Sequence, residues 1–196
     1  MYWRDGTQDS ELVPGIKSFI LTDPTSATIV GGIDQSSNTW WRNLATLGLS
    51  TGTPSDQTIA KAIQTQMRQL RRYGTPKHIM FAGSAFLDAL ESELRANGSY
   101  TDNGWADKGA IDVSVADTSF KGVTVNYDPT LDDEGEEKYL YTIDTKAIYP
   151  MYMEGERNKR HSPARPHDKY VVYRAITDTC GLVCRQRNSS GLITIA

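Results

Sequence analysis

The stretch Lys77-His78-Ile79-Met80-Phe81-Ala82-Gly83-Ser84-Ala85-Phe86-Leu87 decides how the chain is read. Its first six residues are a short apolar run stopped by Gly83, the pattern of a buried strand. Ser84 stands where a helix N-cap belongs. Phe86, Leu87, Leu90 and Leu94 then recur at helical spacing until Asn97-Gly98. Upstream, Ile59, Ile63, Met67 and Leu70 draw a second helical stripe. Thr53 is positioned to N-cap it with Pro54 at the first helical position, and Gly74 and Pro76 end it. The opposite side carries Lys61, Gln64, Gln66, Arg68, Arg71 and Arg72, so this helix is expected to pack on one face only. Helix, strand and helix within about 45 residues predict two helices laid against a sheet.

Beyond Gly104 the apolar period shortens to two, with Ile111, Val113 and Val115 alternating with Asp112, Ser114 and Ala116. Phe120 to Tyr127 reads as the next strand, stopped by Asp128-Pro129, and Tyr139 to Ile143 and Ala147 to Met153 follow. Tyr170 to Ile176 and Gly181 to Gln186 are expected to close as a hairpin around Thr179. Asp132 to Glu137 is expected to be a solvated loop tip. Before Thr53, Asp23-Pro24 and Gly31-Gly32 break the chain into short elements. The fold class that follows is α+β (mixed α/β), a central sheet flanked by two main helices.

The chain has 196 residues, enough for one large domain or two small ones. Area scaling gives roughly 9,000 Å² exposed when folded against about 32,000 Å² unfolded, so a sizeable core can form. A hydrophobic share of 38% beside 23% charged residues excludes a fibrous or mostly disordered chain. No apolar run approaches the roughly 18–20 residues of a membrane span, so no membrane partner is expected. Met1-Tyr2-Trp3-Arg4-Asp5-Gly6 has none of the features of a secretion signal, and a cytoplasmic chain is expected. The net charge of −3, from 21 basic and 24 acidic residues, is too weak to advertise a nucleic-acid surface. Its distribution says more. Between Tyr100 and Tyr139 there are ten acids and three lysines; between Arg157 and Arg187 there are eight bases and two acids. An acidic middle and a basic tail can pair copies of the chain head to tail.

Candidate chemistry is sparse. His161, His167, Cys180 and Cys184 form a superficially zinc-like set, since both gaps fit zinc-ligand spacing loosely. Pro163 and Pro166 put the histidines in a loop, while the cysteines sit in a strand-like context about 13 Å apart, reading as two free buried thiols. Phe81-Ala82-Gly83-Ser84-Ala85 lacks the second glycine of a nucleophile elbow, and Gly31-Gly32 falls short of a phosphate loop. The consecutive carboxylates Asp132 to Glu137 offer at most weak calcium capture. Arg157-Asn158-Lys159-Arg160-His161 has no interleaved aromatic residue and reads as an exposed loop or an electrostatic contact with a neighbouring subunit. Trp40-Trp41 reads as core plus edge packing, with a partner surface as the alternative. No motif nominates a reaction, no cofactor or small-molecule substrate is expected, and elimination leaves a structural or assembly protein. The rival is a small enzyme or zinc-binding module using His161, His167, Cys180 and Cys184.

Several segments, in order, resemble the major capsid (coat) proteins of tailed bacteriophages, which share the Hong Kong phage capsid fold. They are Arg4-Asp5-Gly6-Thr7 with Val13-Pro14-Gly15-Ile16, then Gly31-Gly32-Ile33-Asp34 with Trp40-Trp41-Arg42, and Tyr73-Gly74-Thr75-Pro76-Lys77-His78-Ile79-Met80. Phe120-Lys121-Gly122-Val123-Thr124-Val125 with Asp128-Pro129, Tyr139-Leu140 through Ile143-Asp144-Thr145-Lys146, and Gly181 to Asn188 complete the series. Their order over nearly the whole chain carries the resemblance.

The resemblance implies pentamers and hexamers tiling an icosahedral shell around a genome, with DNA contacted only non-specifically. It implies a virion protein assembled in the host bacterial cytoplasm from a phage or prophage gene, with itself and other capsid components as partners. Residues 40–152 would form the axial domain, and 1–39 with 153–196 a partial peripheral domain. Because Asp5 stands almost at the start, the family's N-terminal arm, extended loop and spine helix are expected to be missing. The subunit contacts expected are Arg71, Arg72, Arg157 and Arg160 of one copy against Asp132, Asp133, Glu134, Glu136 and Glu137 of its neighbour.

Overall fold

The computed structural model describes residues 3, 13–73, 78–96, 118–120, 123–162, 170, 172 and 174–196. Arg4 to Thr7, Gly74 to Lys77, Asn97-Gly98, the alternation at Ile111 to Val115, Pro163, Pro166 and His167 lie outside these residues.

The apolar run around Met80 is strand β4 (His78–Ala82) in a six-stranded mixed sheet. In chain order the strands are β1 (Ile29–Val30), β2 (Ile33–Asp34), β3 (Leu44–Leu49), β4, β5 (Thr118–Phe120), β6 (Val123–Tyr127), β7 (Tyr139–Asp144) and β8 (Ile148–Tyr152). Then come β9 (Lys159–Arg160), β10 (Ile176–Thr177), β11 (Cys180–Cys184) and β12 (Gly191–Ile195). The main sheet runs β3-β12-β7-β4-β6-β5. Strand β12 lies parallel to β3 and antiparallel to β7, while β4 is antiparallel to β7 and parallel to β6.

Period-two alternation gives this sheet two buried faces. Met80, Ala82, Val125, Leu140, Ile193 and Ile195 face the two long helices, α1 (Thr58–Leu70) and α2 (Ser84–Ala96), which contribute Ile59, Ile63, Met67, Phe86 and Leu90. Tyr141, Ile143 and Leu192 point to the other side, where Trp3, Ile16, Ile20, Leu131 and Ile148 cover them and Phe81 packs alongside. The expected sheet with two helices is therefore present, both helices sharing one face.

Several local expectations need correction. Thr53 and Pro54 open a single 3-10 turn, Pro54–Asp56; Gln57 then adopts a left-handed conformation (φ 54°) and α1 begins at Thr58. Gln66, placed by its polarity on the solvent side, is buried, donating to the Leu192 carbonyl at 3.0 Å and accepting from Thr142 Oγ1 at 3.3 Å. Strands β10 and β11 do not close on each other. Instead β11 pairs antiparallel with β8 and β10 with β9, building one long two-stranded ribbon. Strand β12, read from the sequence as nothing in particular, is buried at all five positions between β3 and β7.

The turn between β11 and β12 carries Arg187, 1% exposed. Its Nε donates to the Phe19 carbonyl at 2.6 Å, and Nη2 donates to Gln35 Oε1 at 3.2 Å and Asn43 Oδ1 at 3.1 Å. The guanidinium lies 5.8 Å from the Trp41 ring centroid, and Nη1 has no partner. One side chain thus ties three upstream segments to the turn that leads into β12. Trp41 is held inward by its indole N–H on the Val30 carbonyl at 3.0 Å, while Trp40 beside it is 58% exposed.

Candidate functional site

The acidic segment is not a bare loop tip. Asp128-Pro129 begins a short helix, α3 (Pro129–Asp133), whose Leu131 is fully buried in the core. Asp128 caps it by accepting the Thr130 N–H at 3.0 Å, and also accepts the Trp3 indole N–H at 2.5 Å. Burial pushes the Asp128 carboxyl up, but these two bonds outweigh it and leave it below its ordinary value.

Asp132 reaches the next helix. Its Oδ1 accepts the Ser84 N–H at 2.9 Å and its Oδ2 the Tyr127 hydroxyl at 2.7 Å. The Glu137 carbonyl accepts the Phe86 N–H at 3.0 Å. The expected cap of α2 by Ser84 is therefore a cap by the acidic segment, which satisfies orphan amide donors and sets a carboxylate at the positive helix end. Close approach demands a glycine at position 83, because a Cβ there would stand 2.5 Å from the Glu137 backbone.

Glu134 and Glu136 are also engaged within the chain. Lys17 Nζ lies 3.4 Å from Glu134 Oε2 and 3.1 Å from Glu136 Oε1, and the Tyr141 hydroxyl donates to Glu136 Oε2 at 2.8 Å. Burial first, then the Glu136 charge, pushes the Tyr141 hydroxyl far above its usual range, so it stays a donor. Of the six acids only Asp133 and Glu137 are exposed and outside any ion pair or side-chain hydrogen bond among the described residues.

The basic candidates sit elsewhere. Arg71 and Arg72 follow α1 on the surface, Arg72 lying 5.4 Å from the Tyr73 ring. Arg157 lies 4.5 Å from the Tyr152 ring, and Arg160 is exposed in β9, both on the ribbon. Among the described residues none of these four arginines forms an ion pair with the acidic segment.

Of the zinc-like set, His161, Cys180 and Cys184 lie among the described residues, and these three do not converge. His161 Nε2 is engaged with Thr177 Oγ1 at 2.8 Å, Cys180 and Cys184 are free thiols, and burial pushes the Cys184 thiol up to about 11. A thiol so disposed is a poor metal ligand, since the thiolate is the binding form. Among the described residues no group of three or more His, Cys, Asp or Glu side chains is arranged to hold a metal ion, and no helix is long and apolar enough to cross a membrane.

No protein-family model matches the chain, and no curated protein matches it. Solved structures do match. One, titled "Cyanophage A-1(L) capsid asymmetric unit", superposes with a TM-score of 0.64 over 98% of this chain at 15% sequence identity. The fold resembles that of a phage capsid protein. The chain spans 63% of that capsid chain's length, and at this identity the likeness is one of fold.

Glu93, 3% exposed and accepting the Ile59 and Ala60 N–H groups at the start of α1, and Arg187 carry no mark in the sequence, because a charged residue on a helix or turn reads as solvated until its burial is seen. Helix α3 did have a signal, the Asp-Pro pair that often opens a helix.

Proposed function

We propose that this chain is a subunit of a bacteriophage or prophage capsid with the Hong Kong phage fold, working by tiling against copies of itself. The likeness to the cyanophage capsid over 98% of the chain carries the reading. In it, the copies associate as pentamers and hexamers of an icosahedral shell assembled in the bacterial cytoplasm. The packaged DNA is touched only non-specifically, and the protein turns over no substrate. Residues 40–152 act as the axial domain and 1–39 with 153–196 as a partial peripheral domain, from which β12 enters the axial sheet between β3 and β7.

The charge arrangement supports self-association. Asp133 and Glu137 on the acidic segment, and Arg71, Arg72, Arg157 and Arg160 elsewhere, have no ion-pair partner among the described residues. In the proposed assembly these arginines lie against the acidic segment of a neighbour, where complementary charge sets register and partner choice. The zinc-module reading is not favoured, since His161 and the two cysteines do not converge.

Sizing with light scattering and electron microscopy of the purified full chain tests this. Rings or shells that loosen as salt rises from about 0.1 M to 1 M are expected, because the Debye length shrinks from roughly 10 Å to 3 Å. A chain that stays monomeric at every concentration overturns the reading.

A further inference from the structure

The ribbon of β8 and β11 has an apolar residue pattern on both faces. Directly paired residues share a face, so Ile148 with Cys184 and Pro150 with Leu182 form one side. That side is accounted for, as Ile148, Leu182 and Cys184 join the core under the main sheet. The other side consists of Tyr149 opposite Val183 and Met151 opposite Gly181. Met151 is 56% exposed, and a Cβ added at Gly181 would meet nothing within 4 Å. Arg185 lies 5.1 Å from the Tyr149 ring with no carboxylate partner among the described residues.

An antiparallel pair with one face in solvent ordinarily alternates apolar and polar, and a two-stranded ribbon alone is marginal in water. Here the outer face is apolar, notched at a glycine and bordered by a cation. The complementary surface is on the same chain. Tyr127 is 46% exposed with its hydroxyl on Asp132 Oδ2 at 2.7 Å, and Asp133 and Glu137 of the same segment are exposed with neither an ion pair nor a side-chain hydrogen bond among the described residues.

Resting on the capsid reading above, we propose that the outer face of the ribbon, Tyr149, Met151, Val183 and Arg185 around Gly181, docks the Tyr127, Asp133 and Glu137 surface of a second copy. The contact is heterologous, one surface type meeting another, so it propagates from copy to copy and can close into rings. Arg157 and Arg160 lie further along the same ribbon and extend its positive charge.

The test uses the full chain and four variants: Gly181→Glu, Gly181→Ala, Arg185→Glu and Glu137→Arg. Thermal unfolding confirms that each folds, and sedimentation reads self-association. Gly181→Ala is expected to associate like the parent, since its methyl meets nothing. Gly181→Glu, Arg185→Glu and Glu137→Arg are each expected to weaken association about tenfold or more. An equal mixture of Arg185→Glu and Glu137→Arg is expected to restore it, because in alternating copies each junction again pairs opposite charges. A parent that associates while the folded Gly181→Glu and Arg185→Glu variants associate equally well overturns this docking and leaves the capsid reading standing. Lost DNA retention in Arg185→Glu with unchanged self-association overturns it in favour of nucleic acid. A parent that never associates removes both.

Discussion

The carboxylate of Glu93 accepts the backbone N–H of Ile59 at 2.9 Å, across 34 residues of sequence. It also accepts from Ala60 N at 3.1 Å and Thr58 Oγ1 at 2.9 Å, so α2 supplies the N-terminal cap that α1 lacks in its own sequence. The group is 3% exposed, and its removal leaves the buried Ile59 N–H without its partner. Glu93→Ala is expected to cost about 2–4 kcal/mol, combining a lost cap with stranded buried donors. Glu93→Gln keeps one acceptor oxygen and is expected to fall between. Denaturant unfolding measures both, and a Glu93→Ala variant as stable as the parent contradicts the capping role.

Gly83→Ala tests the close approach of α2 to the acidic segment. Its new methyl would lie 2.5 Å from backbone atoms of Glu137, which cannot rotate away. Overpacking of this kind costs about 1–3 kcal/mol, so a drop of that size in unfolding free energy is expected. The same change at Gly181, where nothing lies within 4 Å, is expected to stay within about 0.5 kcal/mol.

Arg187→Met probes the buried cation. Removing the guanidinium strands the Phe19 carbonyl and Gln35 Oε1 and leaves Asn43 Oδ1 with the Leu21 N–H alone, and Met fills much of the volume without a donor. Burial holds the Arg187 pKa below its ordinary value, a sign that its charge is costly to keep there. The stranded acceptors outweigh the relieved desolvation, and a loss of about 3 kcal/mol is expected by denaturant unfolding. A neutral or stabilised variant would show that desolvation dominates.

What the sequence made legible was what is locally periodic. The stripe Ile59, Ile63, Met67 and Leu70 announces α1 because 3.6-residue spacing has one physical reading. Gly191 to Ile195 announces nothing, since a strand buried at all five positions loses the alternation that distinguishes it. Pairing was equally hidden. Nothing near Cys180 says that it meets Tyr152 rather than the neighbouring Ile176, because that choice is made by core packing around Ile148 and Leu182. At the candidate site the acids were plain, yet which of them turn inward depends on Lys17, 117 residues from Glu134. The split between tied and free carboxylates is a property of tertiary structure alone.

Asp132 gives the acid limb of stability a defined contributor. Burial raises its pKa, but hydrogen bonds from Ser84 and Tyr127 lower it further, so the folded value lies below 3.8. The stabilisation is present above the unfolded value and is lost as pH falls through the folded one. Asp132→Asn is expected to lower stability at neutral pH and to flatten the decline below pH 3.8. A pH series of unfolding midpoints checks this, and an acid limb identical to the parent's would remove Asp132 from it.

His78 acts at milder acidity. It is 8% exposed at the start of β4, with Nε2 3.2 Å from the Ser189 carbonyl and Asp144 directly opposite on β7. Burial lowers its pKa below 6.5, and the Arg71 charge adds to this; Asp144 and the Ser189 carbonyl pull the other way without cancelling it. As pH falls below 6.5 the unfolded chain therefore takes up a proton that the folded chain resists, and stability declines until the folded value is passed. The carboxylates with lowered values, Asp23, Asp34, Asp128 and Asp132, act around and below 3.8, so the interval down to about pH 5 isolates the histidine from them. His78→Gln retains a donor for Ser189 and has no proton to gain. Unfolding free energies at pH 7.5, 6.5 and 5.5 should fall in the parent and stay level in the variant; equal slopes in the two would show that some other group senses the acid.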